Sequence, residues 1–154
     1  MNTSPPLEEI FATVPLLRRL SSRQRSRLAH LATRRSYRPG SIIVRQGDTS
    51  MALYIVLSGT VRIELEPDTG AALPITEVGP AGYFGEMGLI DDAPRSATVV
   101  AIEPTECALL SQWDFRDELR HDPDIALALL PVLNERIREL EARLAQDHQA
   151  NPKT

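Results

Sequence analysis

Short apolar segments separated by turns are the feature that most constrains the fold of this chain. Between Arg34 and Leu110, six segments of five to seven residues are rich in valine, isoleucine and threonine. Glycine, proline and aspartate stand between them, and these residues favour tight reversals. This spacing predicts a sandwich or a jelly-roll barrel. The segments are Ser41–Arg45, Ala52–Leu57, Thr60–Leu65, Leu73–Val78, Ser96–Ile102 and Thr105–Leu110.

Helical patterns flank this β region on both sides. Before it, leucines at positions 17, 20, 28 and 31 fall near one helical face. Ser21 or Ser22 can cap a helix that starts at Arg23. After the β region, His121-Asp122-Pro123 divides a second helical stretch, because a residue before proline avoids the helical conformation.

The expected fold is therefore mainly β with flanking helices (α+β): a β-roll or jelly-roll barrel of about eight strands, N-terminal helices and a long C-terminal helix. A length of 154 residues suits one hydrophobic core, so we expect a single domain over 1–154. Its predicted parts are helices within 6–33, the barrel at 34–110 and C-terminal helices at 112–146.

Charge and cysteine content limit the classes of function. The net charge of −4 argues against general affinity for nucleic acid, since a phosphate backbone attracts an excess of lysine and arginine. Cys107 is the only cysteine, so no internal disulfide can form, and a cytoplasmic location fits. No apolar run approaches the length of a membrane span, and the N-terminus lacks the pattern of a secretory signal.

Arginines are concentrated near the N-terminus. Nine of them lie between Ile10 and Gly47, a stretch without aspartate or glutamate. We interpret this stretch as a solvated face that is partly paired with the acidic remainder of the chain. The alternative is a docking surface for an acidic partner or for membrane headgroups.

An apolar seam runs along the C-terminal helical stretch. Six residues recur at spacings of four, three, four, three and four, the a/d pattern of a coiled coil. This pattern predicts a homodimer formed through the C-terminal helix, and the alternative is packing on the chain's own barrel. Pro131 lies inside the stretch and should kink the helix. The seam residues are Ala126, Leu130, Leu133, Ile137, Leu140 and Leu144.

One stretch of the β region, Gly82–Val99, is too long for a hairpin turn. Gly85 and Gly88 let the backbone approach a ligand, because they carry no Cβ. Met87–Ile90 can form one helical turn, whose free N–H groups suit an anionic oxygen. These features favour an anion site in this stretch.

Side chains in the same stretch extend the site. Arg95 can meet a phosphate with two parallel hydrogen bonds, and Ser96 adds a hydroxyl and a main-chain N–H. The carboxylate of Glu86 would repel a phosphate, so its natural partner is a sugar hydroxyl. Together these groups suggest a nucleotide pocket. On spacing alone, a surface loop with a structural Glu86–Arg95 salt bridge fits equally well.

Two motifs in this stretch carry a family resemblance. Phe84-Gly85-Glu86-Met87-Gly88-Leu89 and Pro94-Arg95-Ser96-Ala97-Thr98-Val99 resemble the phosphate-binding cassette of the cyclic nucleotide-binding domain. That family includes the catabolite activator protein, the regulatory subunits of protein kinase A and cyclic-nucleotide-gated channels. The resemblance extends from about Leu16 to Leu144, and it implies a domain that binds a cyclic nucleotide, with cAMP as the expected ligand.

The resemblance also implies roles for individual residues. Arg95 should hold the cyclic phosphate and Glu86 should accept a hydrogen bond from the ribose 2′-OH. Ile63 and Ile75 should face the base, near Val61 and Val78, or else form plain barrel core. The main-chain groups expected at the phosphate belong to Met87, Gly88, Ser96 and Ala97.

This sequence departs from the bacterial activators on the C-terminal helix. Those proteins hydrogen-bond adenine with polar side chains, whereas Leu140-Glu141 stands at the matching place here, so the choice of base stays open. Arg136, one turn earlier, can either reach over the pocket toward Glu86 or remain solvated. The helix-turn-helix of the activators has no counterpart in this sequence, so DNA binding is not expected.

Catalytic alternatives find little support in the sequence. His30, His121 and His148 lie in predicted helices far apart, so a metal site is not expected, and Cys107 is interpreted as inert core. We therefore expect a ligand-dependent switch for an unknown effector protein and no enzyme. The open alternatives are an interaction module with a vestigial pocket and a receptor for cGMP or a cyclic dinucleotide, with Ser96 as a contact for guanine.

Overall fold

The computed structural model describes residues 5–49, 52–86, 91 and 94–150. Its N-terminal part contains helix α1 (Leu7–Phe11), a 3₁₀ turn (Pro15–Leu17) and helix α2 (Ser22–Leu31). The leucines at 17 and 20 precede α2 instead of lying on its face, but all four predicted leucines are buried or half-buried.

The start of α2 is set by a reciprocal cap. The Ser21 hydroxyl accepts a hydrogen bond from the backbone N–H of Gln24 at 3.2 Å, and the Gln24 side chain accepts one from the backbone N–H of Ser21 at 2.9 Å. This pair satisfies two donors that the first helical turn leaves free. The predicted cap at Ser21 is confirmed, and the helix begins one residue earlier than expected.

Eight strands in the described residues form two antiparallel sheets of four strands each. One sheet has the order β1-β8-β3-β6 and the other has the order β2-β7-β4-β5. The fold class predicted from the sequence is confirmed. The strands are β1 (Thr33–Tyr37), β2 (Ile42–Val44), β3 (Ala52–Ser58), β4 (Val61–Leu65), β5 (Leu73–Val78), β6 (Tyr83–Phe84), β7 (Thr98–Ala101) and β8 (Thr105–Ser111).

Strands β1 and β6 were not among the predicted segments. β1 is an edge strand whose residues Thr33–Ser36 are exposed, so it carries no apolar alternation. β6 has only two residues and lies inside the long Gly82–Val99 stretch. It pairs with Tyr54 and Ile55 of β3. Neither strand carries the periodic pattern on which a strand prediction depends.

Strand β3 separates the two halves of the core. Leu53 and Ile55 point to the helices, where they join a cluster with Phe11, Leu28 and Phe115. Side chains of alternate residues point to opposite faces of a sheet, so Tyr54 and Val56 face the barrel interior with Cys107. β3 therefore reads as a continuous apolar run because both of its faces are covered.

Two helices complete the fold: α3 (Gln112–His121) and α4 (Asp124–Ala150). The predicted break is confirmed, and the Asp122 carboxylate accepts a hydrogen bond from the Asp124 N–H at 3.2 Å. Helix α4 continues past the predicted end at Gln146, and Pro131 lies within it. None of the described helices is long and apolar enough to span a membrane.

The face of α4 that packs on the domain is not the predicted seam. Ile125, Leu129 and Val132 are buried in the helical cluster, and Leu133 packs partly against it. Most of the seam is exposed, with at least half of the surface of each of these residues accessible: Leu130, Ile137, Leu140 and Leu144.

Several N-terminal arginines pair with acids elsewhere in the chain. Arg18 and Arg19 both contact Glu135 of α4. Arg27 lies 2.7 Å from the buried carboxylate of Glu118, measured from Nε to Oε1. These contacts support the interpretation of the arginine-rich stretch as a partly paired, solvated face.

Candidate ligand-binding site

A cavity of about 250 Å³ lies beside the barrel, under helix α4. Its apolar wall comes from barrel strands and includes Val44, Ile63, Phe84 and Val99. The rest of its lining includes most of the residues that the sequence analysis placed at the site. These are Gly85, Glu86, Arg95, Ser96, Ala97 and Arg136.

The main chain of Arg95 is anchored to a turn that follows β2. The Arg95 N–H donates to the Asp48 carbonyl at 2.8 Å, and the Arg95 carbonyl accepts from the Gly47 N–H at 2.9 Å. Gly47 has a φ of +89°, a conformation that favours glycine. The turn at Gly47-Asp48 therefore fixes the main chain of the residue expected to bind phosphate.

The side chain of Arg95 is held by strand β3. Its Nη2 donates to the Ala52 carbonyl at 2.8 Å, and its Cζ lies 5.6 Å from the ring centroid of Tyr54. Burial lowers the pKa of the Arg95 guanidinium from its ordinary value, whereas Tyr54 and Glu86 act in the opposite direction. Arginine remains charged in proteins because its ordinary pKa is above about 12, so the site presents a partly desolvated cation.

Gly85 makes room for this arginine. It adopts a φ of +86°, and a Cβ at this position would collide with Nη1 of Arg95 and lie 2.8 Å from the Ala52 carbonyl oxygen. The sequence suggested that Gly85 admits a ligand. In the structure, the group that approaches Gly85 is the Arg95 side chain.

The carboxylate of Glu86 pairs with α4. Arg136 Nη1 donates to Glu86 Oε1 at 2.6 Å and to the Tyr83 hydroxyl at 3.3 Å, and its Cζ lies 5.5 Å from the Tyr83 ring centroid. Arg136 therefore reaches over the pocket, the first of its two predicted positions. The alternative of a structural Glu86–Arg95 salt bridge does not describe this site, since the Glu86 contact is with Arg136.

Tyr83 lines the cavity next to the Glu86–Arg136 ion pair. Burial raises the pKa of the Tyr83 phenol, with the Arg136 charge acting against burial. No sequence pattern pointed to Tyr83, although it precedes the cassette motif directly. Its hydroxyl faces Arg136 only because α4 crosses this point of the fold.

The two isoleucines expected at the base behave differently. Ile63 is half-buried and lines the cavity, whereas Ile75 is 54% exposed and does not. Ile63 pairs with Thr76 and Glu64 pairs with Pro74, so Ile75 is the extra residue of a β-bulge. A bulge bends its strand and redirects a side chain, and this explains why Ile75 does not line the cavity. Met87 and Gly88, also expected at the site, lie outside the described residues.

A second cavity of about 260 Å³ lies behind the first, and Glu86 borders both. Its other lining residues are mostly apolar and belong to the 3₁₀ turn, α3 and α4. They include Leu16, Phe115, Leu119, Leu129 and Leu133. Helix α4 therefore crosses the domain above space that its side chains do not fill.

No group of three or more potential metal ligands occurs within the described part of the chain. Cys107 is fully buried in the barrel interior, and burial raises the pKa of its thiol to about 12. A thiol in this state is a poor nucleophile, in agreement with its interpretation as core.

Two four-stranded sheets and flanking helices form a β-roll domain. The cation of Arg95 and the carboxylate of Glu86 lie at one cavity beside its barrel. The family model described as "Cyclic nucleotide-binding domain" matches residues 34–122. The chain belongs to this family of regulatory domains, and the resemblance stated from the cassette motifs is confirmed at that level.

Similar proteins also fit this family assignment. The chain is 40% identical over 111 residues to a "Cyclic AMP receptor protein" of Thermus thermophilus, covering 72% of this chain and 51% of that protein. It is 35% identical to a cAMP-dependent protein kinase regulatory subunit of Dictyostelium discoideum, covering 70% of this chain and 34% of that protein. The chain thus spans about half, or less, of these relatives.

A solved structure shows the same architecture. The crystal structure of the Thermus thermophilus catabolite activator protein superposes with a TM-score of 0.75 at 36% identity. The match covers 86% of this chain and 62% of that protein.

Proposed function

We propose that this domain binds cAMP in the cavity beside Arg95. The observation that carries the proposal is that Arg95 and Glu86 line the same cavity as the apolar side chains Ile63 and Val99. A cyclic nucleotide needs these three surfaces together: a cation for its phosphate, an acceptor for its ribose and an apolar wall for its base.

The phosphate is proposed to bind the guanidinium of Arg95. A guanidinium has five N–H donors, so the hydrogen bond to the Ala52 carbonyl uses one of them and leaves others for an anion. Ser96 and Ala97 border the cavity, and their main-chain N–H groups are proposed to add further donors. Met87 and Gly88 stay in the proposal from the sequence motif alone.

The base is proposed to lie against Ile63, Val44 and Val99. The relative named as a cyclic AMP receptor protein supports adenine over guanine. Ser96 lines the cavity, and a serine hydroxyl suits guanine, so cGMP is the ligand to compare. Leu140 offers no hydrogen bond to either base.

Ligand binding is proposed to move α4. The ribose 2′-OH and Arg136 compete for the same Glu86 carboxylate, and Arg136 belongs to α4. The apolar cavity under α4 gives the helix room to settle differently. The output would be an altered helix surface for an effector protein, and no chemical reaction.

The exposed seam of α4 is the proposed contact for a second copy of the chain. Ile137, Leu140 and Leu144 are each at least half exposed in the single chain. Apolar residues at a and d positions usually become buried by packing against the same residues of a second helix. A cytoplasmic location and the lack of DNA binding stay predictions from the sequence.

Titration calorimetry tests the proposed ligand. Arg95→Ala should weaken cAMP binding by about 2–3 kcal/mol, or about 30- to 150-fold, because a charged donor to a partly buried anion is lost. The matched control is Arg34→Ala, which removes an arginine paired with Glu106 at 2.8 Å and outside the cavity. That variant should bind like wild type.

The same titration separates the alternatives. Wild-type protein that binds cGMP or a cyclic dinucleotide more tightly than cAMP would reassign the ligand. Wild-type protein that ignores all of these compounds at millimolar concentration would indicate a vestigial pocket. Equal affinities of wild type and Arg95→Ala would remove Arg95 from the site.

A further inference from the structure

The guanidinium of Arg95 rests on strand β3 through two contacts. The Ala52 carbonyl accepts its Nη2 at 2.8 Å, and the Tyr54 ring centroid lies 5.6 Å from its Cζ. Ala52 contributes its main-chain carbonyl and Tyr54 its ring, and both residues belong to β3. One strand therefore supplies both supports.

The Tyr54 ring is itself held in place. It stacks on Phe84 with ring centroids 4.9 Å apart and ring planes at 5°. Tyr54 and Phe84 are also paired in the register of β3 and β6, and Phe84 is buried. A ring fixed by a buried neighbour and by its strand can orient a group that lies over its face.

The choice of an aromatic face matters for an anion site. A carboxylate beside Arg95 would neutralise its charge and occupy its donors. An aromatic ring attracts a cation through its negative face, while the N–H groups in the guanidinium plane remain available. The ring also offsets part of the destabilisation that burial imposes on the charged guanidinium.

We infer that Tyr54 is a positioning residue that holds Arg95 ready for an anionic ligand. This inference rests on the proposed function and deepens it by naming a residue that does not line the cavity. The sequence offered no signal for Tyr54, which reads as one residue of an apolar strand. The guanidinium of Arg95 lies over the ring face of Tyr54.

Three variants test the inference by calorimetry with cAMP. Tyr54→Leu should weaken binding roughly 3- to 30-fold, the range of a partly desolvated cation–π contact. Tyr54→Phe keeps the ring and should bind like wild type. The matched control is Tyr37→Leu, since Tyr37 is a half-buried tyrosine of β1 that packs on the same barrel cluster. It should lose stability and keep its affinity.

A double-mutant cycle separates positioning from general damage. If Tyr54 acts through Arg95, Tyr54→Leu should have no further effect on cAMP affinity in an Arg95→Ala background. Additive losses in the double variant would overturn the inference, as would wild-type affinity in Tyr54→Leu. Wild-type protein that binds no cyclic nucleotide would overturn the proposed function and this inference together.

An NMR measurement tests the geometry without ligand. The Nε–Hε resonance of Arg95, assigned by its loss in Arg95→Lys, should be shifted upfield in the wild-type protein by the ring current of Tyr54. Tyr54→Leu, where it folds, should abolish that shift. A wild-type resonance at its random-coil position would overturn the inference while leaving the proposed function intact.

Discussion

Replacing Gly85 with alanine tests how the fold positions Arg95. Gly85 has a φ of +86°, and an L-residue in this region costs about 1–2 kcal/mol. The new Cβ would also collide with Arg95 Nη1 and lie 3.1 Å from Arg95 Cζ and 2.8 Å from the Ala52 carbonyl oxygen. The guanidinium must therefore move away, and its hydrogen bond to Ala52 is lost.

Gly40 provides a control with the same backbone strain. Its φ is +83°, and a Cβ there would meet no atom within 4 Å. Gly40→Ala should lower the free energy of unfolding by about 1–2 kcal/mol, from the backbone alone. Gly85→Ala should lower it by about 1.5–3 kcal/mol more, the range for a hydrogen bond to a charged group.

Urea denaturation of both variants measures these free energies, and calorimetry measures cAMP affinity. Gly40→Ala should bind cAMP like wild type, whereas Gly85→Ala should bind about 10-fold more weakly or worse, equivalent to about 1.4 kcal/mol. Equal stability losses in the two variants, together with wild-type affinity in Gly85→Ala, would refute the close packing of Gly85 against Arg95.

Two further predictions concern the helix seam and the barrel interior. Light scattering should give the wild-type protein twice the 17.1 kDa mass of the chain. Ile137→Asp should give a monomer, while the control Asn134→Asp should stay dimeric. A wild-type monomer would contradict the proposed dimer. The thiol of Cys107 has a pKa raised from 9.0 to about 12, so a thiol reagent at pH 9 should label it only after unfolding. Because the folded pKa lies above the ordinary value, the thiol's stabilising contribution is present below pH 9 and is lost as the pH rises toward 12; fast labelling of native protein would contradict its burial.

The sequence predicted the strands that carry an apolar pattern and missed those that do not. The predicted segment Leu73–Val78 has the same bounds as β5, and the predicted segment Ala52–Leu57 is one residue shorter than β3. β1 was missed because Thr33–Ser36 is a polar, exposed edge. Pattern reasoning detects a strand by what it buries, so an edge strand that buries little gives no signal.

Most residues of the candidate site are close in sequence, so their proximity in the fold could be expected from the sequence. Gly85, Glu86, Arg95, Ser96 and Ala97 lie within thirteen positions and line one cavity. Ile75 does not line the cavity, since a bulge in β5 redirects it; that bulge depends on pairing with β4 and could not be predicted from a strand of six residues. The contact between Tyr54 and Arg95 could not be predicted for a related reason, because the two residues are distant in the chain.

The sequence by itself determined the features that depend on near neighbours. The reciprocal cap of Ser21 and Gln24, the helix break before Pro123 and the turn at Gly47 involve residues at most a few positions apart, and their local conformational preferences are enough to fix them. The alternating faces of β3 follow in the same way from the pleat of a strand.

Only the tertiary structure decided which distant groups meet. Glu86 could have paired with Arg95, but α4 brings Arg136 to it from fifty positions away. The buried face of α4 is Ile125, Leu129 and Val132, while the more regular seam lies outside. Such choices depend on how whole helices and sheets pack against one another, and sequence periodicity gives the apolar face of a helix without saying what will cover it.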